Sequence, residues 1–90
     1  MKPVRVRVVV RGRVQGVFFR VEARDRAESL GIAGSIGNLP DGSVEAVFEG
    51  DEERVESLVD WCRRGPAGAV VESVETSGEA PLGETGFEIR

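Results

Sequence analysis

Gly12-Arg13-Val14-Gln15-Gly16-Val17-Phe18-Phe19-Arg20 lies where one periodicity gives way to another. Upstream, Val4, Val6, Val8 and Val10 alternate with Arg5, Arg7 and Val9, and this period of two predicts a strand. Downstream, Phe19, Ala23, Ala27 and Leu30 fall four, four and three apart, one apolar stripe of a helix with Glu22, Arg24, Asp25 and Glu28 outside it. Residues 11–18 are therefore expected as a strand-to-helix loop. Gly16 allows the backbone to turn tightly and aim several N–H groups at one point. A helix start adds further free N–H groups and a partial positive charge, which together suit a phosphate-like anion. Arg20 sits in the first helical turn, where a cation opposes the helix dipole by roughly 0.3–1 kcal/mol. A bound anion is the natural offset.

Outward from this stretch, Gly31 supplies a helix stop. Residues 33–38 predict a strand diluted by Gly34 and Gly37, and Leu39-Pro40-Asp41-Gly42 is a turn joining it to a strand over 43–49 with Val44, Ala46 and Phe48 on one face. Asp51 is placed to cap a second helix, with Glu52 and Glu53 in its first turn, Arg63 and Arg64 in its last, and Val55, Leu58, Val59 and Cys62 as its buried stripe. Gly65-Pro66 stops it. A fourth strand is expected over 70–76, a polar, turn-rich segment over 77–86, and a short terminal strand over 87–90. The order βαββαβ plus that short strand predicts an α+β ferredoxin-like sandwich, with two helices on one face of an antiparallel sheet. Ninety residues, with no internal repeat or linker, imply a single domain spanning residues 1–90.

Composition removes several kinds of chemistry. The chain has no histidine, which excludes Ser-His and Cys-His nucleophile pairs and the commonest metal ligand. One cysteine, Cys62, excludes an internal disulfide and an all-cysteine metal site, and its place on an apolar stripe reads as an inert buried thiol. No metal and no cofactor are expected. Asp51, Glu52 and Glu53 read as a helix N-terminus, not a metal site. There is no apolar run long enough to span a membrane and no signal-peptide block, so a cytoplasmic location is expected. The formal charge of −4 argues against a nucleic-acid partner, yet residues 1–26 carry a net +6 and the remainder −10. The positive end holds the anion loop. Arg5 and Arg7 either extend its field or form a solvated strand face, the second being the simpler reading.

The nine residues of the loop match, without a gap, the signature of the acylphosphatase family, which this chain resembles over essentially its whole length. Asn38-Leu39-Pro40-Asp41-Gly42, Val44-Glu45, Glu49-Gly50, Arg64-Gly65-Pro66 and Gly86-Phe87-Glu88-Ile89-Arg90 carry the likeness further. The resemblance implies hydrolysis of the mixed anhydride between a carboxyl and a phosphate. It implies that Gln15, Gly16, Val17, Phe18, Phe19 and Arg20 cradle the phosphate, that Arg20 is catalytic, and that Asn38 orients the attacking water. The family pattern Gly-x-Val-x-Asn reads here Gly34-Ser35-Ile36-Gly37-Asn38. Ser35 stands in place of an aromatic and Gly37 in place of a basic residue.

The chemistry agrees with these residue types. An acyl phosphate already has a good leaving group, so the charge on the phosphate must be held and a water aimed at phosphorus. Arginine grips two phosphate oxygens with its planar fork, and a neutral amide accepts from water while donating to a phosphate oxygen. Taken singly, the same residues have plainer readings. Arg20 pairs with Glu22 or Asp25, Asn38 merely forms the turn, Gln15 shapes the loop, and Phe18, Phe19 and Trp61 are core or pocket wall. Two functions follow. One is a monomeric enzyme acting on a small-molecule acyl phosphate. The other is a binding module of the same fold without turnover, as in acylphosphatase-like domains at the front of larger maturation proteins.

Overall fold

The computed structural model describes residues 2–90. Its elements are β1 (Pro3–Arg13), α1 (Phe19–Ser29), β2 (Ala33–Asn38), β3 (Val44–Asp51), α2 (Glu52–Cys62), β4 (Val70–Glu79) and β5 (Phe87–Ile89). They form one five-stranded sheet in the order β4-β1-β3-β2-β5. The even-numbered valines of β1 face the helices. Val8 and Val10 are buried there with Ile36, Val44, Ala46 and Phe48, against Phe19, Ala23 and Ala27 of α1 and Val55, Leu58, Trp61 and Cys62 of α2. The two helices therefore share one face of the sheet, as the order of elements predicts. Leu30, the last residue of the α1 stripe, is only partly buried because it falls at the C-cap. The helix closes there through Gly31 N–H to Glu28 C=O and Ile32 N–H to Ala27 C=O.

Several expectations need correction. The sheet is mixed, not wholly antiparallel: β5 runs parallel to β2, pairing Gly34 with Phe87 and Ile36 with Ile89. β1 runs on to Arg13, so the loop is shorter than the expected 11–18. The pairing with β4 shifts register between Arg11 and Gly12, where Glu72 of β4 is left without a partner on β1. Gly12 has φ of 133°, and a Cβ on it would lie 2.1 Å from the Val70 carbonyl oxygen, so the bulge demands glycine. β4 reaches Glu79, three residues past the expected Thr76. Arg63 and Arg64 lie beyond the last turn of α2, and Asp51 at its N-cap makes no side-chain capping bond.

The solvent side of the sheet is ordered by charge. Arg5 is not a solvated strand residue; its side chain is 11% exposed and contacts Glu49, Glu79 and Glu84 at 3.0 Å each. Glu49, also buried, accepts main-chain N–H groups from Leu82, Gly83 and Glu84 at 3.0, 2.7 and 3.1 Å. These bonds strap the segment after β4 across the sheet. They hold the Glu49 carboxyl below its ordinary pKa, the Leu82 N–H contributing most, while the carboxylates of Glu84, then Glu49 and Glu79, raise the Arg5 guanidinium above its own.

Candidate active site

The β1–α1 loop and the end of β2 meet at one end of the sheet because β1 and β2 both flank β3. Between them is a cleft of about 380 Å³ lined by Val14, Gly16, Phe18, Phe19, Arg20, Val21 and Asn38. The structure thus brings Arg20 and Asn38, 18 residues apart in the chain, into one site. Asn38 pairs with Val44 at the end of the β2–β3 ladder. Its side chain is on the same face as Ile36, the face the helices cover.

The loop is built to leave donors open. Gly16 has φ of 74° and Phe18 φ of 62°, and Phe18 is the only non-glycine residue in that region among the described residues. Phe18 is also the N-cap of α1 and gives no side-chain cap. A serine, threonine, aspartate or asparagine at an N-cap satisfies one of the first helical N–H groups; phenylalanine cannot. Among the described residues, no hydrogen bond within the chain is donated by the main-chain N–H groups of residues 15–21, and the first such bond of the helix runs from Glu22 N–H to Phe18 C=O at 3.0 Å. Seven backbone donors of the loop and helix start therefore have no partner within the chain, and five of those residues line the cleft.

The loop is held from both sides. Phe19 is 2% exposed and packs on Trp61 of α2 with ring centroids 5.2 Å apart, which fixes the helix start and hence the root of Arg20. Gln15 reaches across to the turn after β2: its Nε2 donates to the carbonyls of Leu39 and Ser43, both at 2.9 Å. That side chain ties the β1–α1 loop to the hairpin bearing Asn38. Asp41 in the same turn accepts from the Ser43 hydroxyl and N–H, which hold its carboxyl below its ordinary pKa, the hydroxyl contributing most.

The plainer reading of Arg20 does not hold. Asp25 is paired with Arg24 at 3.3 Å, and no ion pair among the described residues uses Arg20. Phe18 is 75% exposed and lines the cleft, Trp61 is core, and Phe19 is core while also lining the cleft. Cys62 is fully buried and its thiol is pushed up to about 12 by desolvation, so it is not a nucleophile. No three of His, Cys, Asp or Glu come together to hold a metal ion, and no helix is long and apolar enough to cross a membrane, among the described residues. Val14 and Val21 also line the cleft. Val14 continues the inward-facing even positions of β1, a signal interrupted by glycine at position 12, and Val21 stands in the first turn of α1 where periodicity alone does not mark a site.

A larger cavity of about 470 Å³ lies at the same end of the sheet, lined by Arg11, Gly12, Arg13, Asp41, Gly42, Ser43, Val70 and Glu72. It includes neither Arg20 nor Asn38, and its Arg11 is paired with Glu75 at 2.7 Å. The smaller cleft, with its open N–H groups, is the one suited to an anion.

The acylphosphatase family model matches residues 6–89. An acylphosphatase of Rubrobacter xylanophilus is 60% identical over 87 residues, covering 96% of this chain and 79% of its own. One from Gloeobacter violaceus is 54% identical over 86 residues, covering 96% and 92%. Among solved structures, an acylphosphatase from Coxiella burnetii superposes with a TM-score of 0.93 at 35% identity, covering 98% of this chain and 93% of its own. That from Bacillus subtilis gives 0.91 at 32% identity, covering 97% and 98%. Sequence and fold agree over nearly the whole of this chain, and the chain belongs to the acylphosphatase family.

Proposed function

We propose that this chain hydrolyses acyl phosphates to carboxylate and inorganic phosphate, with Arg20 and the N–H groups of residues 15–20 holding the phosphoryl group and Asn38 aiming the water. As a member of its family the chain is a hydrolase acting on acyl phosphates. The observation that carries the assignment of residues is the single cleft in which Arg20, Asn38 and an uncapped helix start converge.

In this mechanism the phosphoryl oxygens replace the missing cap of α1 and accept from the loop N–H groups. The guanidinium of Arg20 bridges two of these oxygens and strengthens its hold as charge gathers on them. The Asn38 carbonyl accepts one hydrogen of a water, and its amide N–H donates to a phosphoryl oxygen. The water oxygen forms a bond to phosphorus as the bond from phosphorus to the acyl oxygen breaks, and the carboxylate leaves with that electron pair. The proton of the water passes to a phosphate oxygen, since no histidine is present to take it. The carboxylate needs no protonation to depart, and no step calls for a metal ion. A binding role without turnover is not favoured by the family match.

Hydrolysis of benzoyl phosphate in the presence of EDTA tests this reading. Loss of one preorganised donor costs about 10²–10³ in kcat, so Arg20→Gln and Asn38→Ala are each expected to fall by that factor with circular dichroism unchanged. Near-normal turnover in either variant would remove that residue from the mechanism. We further propose that residues 1–90 act as one monomeric domain in the cytoplasm without a nucleic-acid partner, the last supported by the net charge of −4.

A further inference from the structure

Asn38 follows a residue with no side chain. Gly37 is buried within the β2–β3 ladder opposite Glu45, and its φ is not in the left-handed region, so the backbone there does not itself require glycine. What occupies the missing side chain's place is Arg90. A Cβ on Gly37 would meet both Arg90 Cβ and Arg90 Nη1 at 3.2 Å. The Arg90 side chain is fixed at three points around this position. Its Nε donates to Ser35 Oγ at 2.9 Å, Nη1 to Glu45 Oε1 at 3.3 Å, and Nη2 to the Glu45 main-chain carbonyl at 3.2 Å. Its own N–H donates to the Ile36 carbonyl at 2.8 Å. Glu45 is in turn paired with Arg7 of β1.

We propose that Arg90 is a positioning residue for Asn38: its side chain substitutes for the one Gly37 lacks and clamps the last residues of β2 to β3. Glycine beside a catalytic amide is a source of backbone freedom, and strand interiors with glycine are weakened for the same reason. Here Ser35 before Gly37 and Glu45 across from it are joined by one planar guanidinium, on the sheet face opposite the Asn38 side chain. The clamp therefore restrains the Gly37–Asn38 backbone without entering the cleft. It touches neither phosphate nor water in the proposed mechanism.

This inference rests on Asn38 being the water-positioning residue, and the experiment separates the two. Steady-state hydrolysis of benzoyl phosphate is compared for wild type, Asn38→Ala, Arg90→Ala, Gly37→Val and the double variant Arg90→Ala/Gly37→Val, with the fold checked by circular dichroism. Small displacements of a positioning group cost up to about 10²-fold, and an indirect one of this kind is expected to lower kcat about tenfold in Arg90→Ala while KM changes by less than about twofold. Gly37→Val alone displaces the Arg90 side chain and also lowers kcat. In the double variant the guanidinium is gone and only the 3.2 Å contact with the Cβ of residue 90 remains to be relieved, so the valine side chain takes the vacated place and kcat is expected to return to within about threefold of wild type. Where Arg90→Ala is too unstable to assay, Arg90→Met takes its place, keeping the stem over Gly37 and losing the three polar contacts. Unchanged kcat in the Arg90 variant, with Asn38→Ala inactive, would overturn the role of Arg90 alone. Additive losses in the double variant would do the same, reducing Arg90 to a stabilising contact. Full activity in Asn38→Ala would overturn the reading of Asn38 on which the inference stands.

Discussion

At the scale of single residues, Phe18 is the one that departs most from ordinary preference. It combines a left-handed backbone with 75% exposure, so neither burial nor local geometry repays its conformation. An L-residue held there costs roughly 1–2 kcal/mol. Strain of this kind concentrates at functional positions, and the open N–H groups beside it are what the conformation provides. Phe18→Gly is therefore expected to raise stability by about 0.5–1 kcal/mol in urea denaturation, the relief of strain being partly offset by the greater freedom of glycine in the unfolded chain. Turnover is expected to fall several-fold, because the same freedom loosens the loop donors. A variant both less stable and equally active would show that the side chain, not the backbone, is what matters at position 18.

At the scale of elements, the hydrogen-bonded link between the β1–α1 loop and the β2–β3 hairpin runs, among the described residues, through one side chain, Gln15. Its two bonds to the Leu39 and Ser43 carbonyls join elements that otherwise meet only across the cleft. Both carbonyls keep a main-chain partner, Gly42 N–H and Leu39 N–H respectively. Gln15→Met, close in shape and lacking the amide, is thus expected to cost about 1–2 kcal/mol of stability and no more, since hydrogen bonds contribute about 1 kcal/mol each net. Its effect on turnover is expected to be larger, about tenfold in kcat, because Arg20 and Asn38 lose their common tether. Equal turnover in the two proteins would mean that the hairpin and loop are held in register by the sheet alone.

Elements and site differ in how far the chain's linear order reveals them. The strand before the loop and the stripe Phe19-Ala23-Ala27 are legible because each rests on local spacing, whereas Arg20 and Asn38 are singled out by the family resemblance and their shared cleft exists only in the fold. The extension of β1 to Arg13 is not legible, since glycine at position 12 leaves a gap in the apolar alternation for a reason that lies on Val70. The parallel pairing of β5 is not legible either, because three residues carry no directional signal of their own. Gln15 reads as a loop-shaping polar residue, but its partners lie 24 and 28 residues on. Arg90 enters the sequence reading only as part of a short terminal strand, and its relation to Gly37 exists only once β5 is laid beside β2.

On the scale of the whole molecule, stability is divided between an apolar face under the helices and a charged face open to water. The second depends on pH through Glu49, which lies between Phe48 and Gly50 and reads from sequence as an ordinary outward strand residue. It is instead buried, accepting three main-chain N–H groups and Arg5, and its pKa is held below the ordinary value. A depressed folded pKa means that the unfolded chain binds this proton more tightly. The contribution of Glu49 is then complete above the unfolded glutamate value of about 4.3 and is lost as pH falls through the lower folded value. Glu49→Gln removes that dependence. In urea denaturation the variant is expected to be less stable than wild type at neutral pH, with the gap closing as pH is lowered from about 5 to about 2. Hydrogen exchange at Leu82, Gly83 and Glu84 is expected to quicken in the variant at neutral pH, since those are the N–H groups the carboxylate holds. A gap that stays constant across the acid range would mean that the carboxylate charge contributes nothing and that the strap over β1 and β3 is held by shape alone.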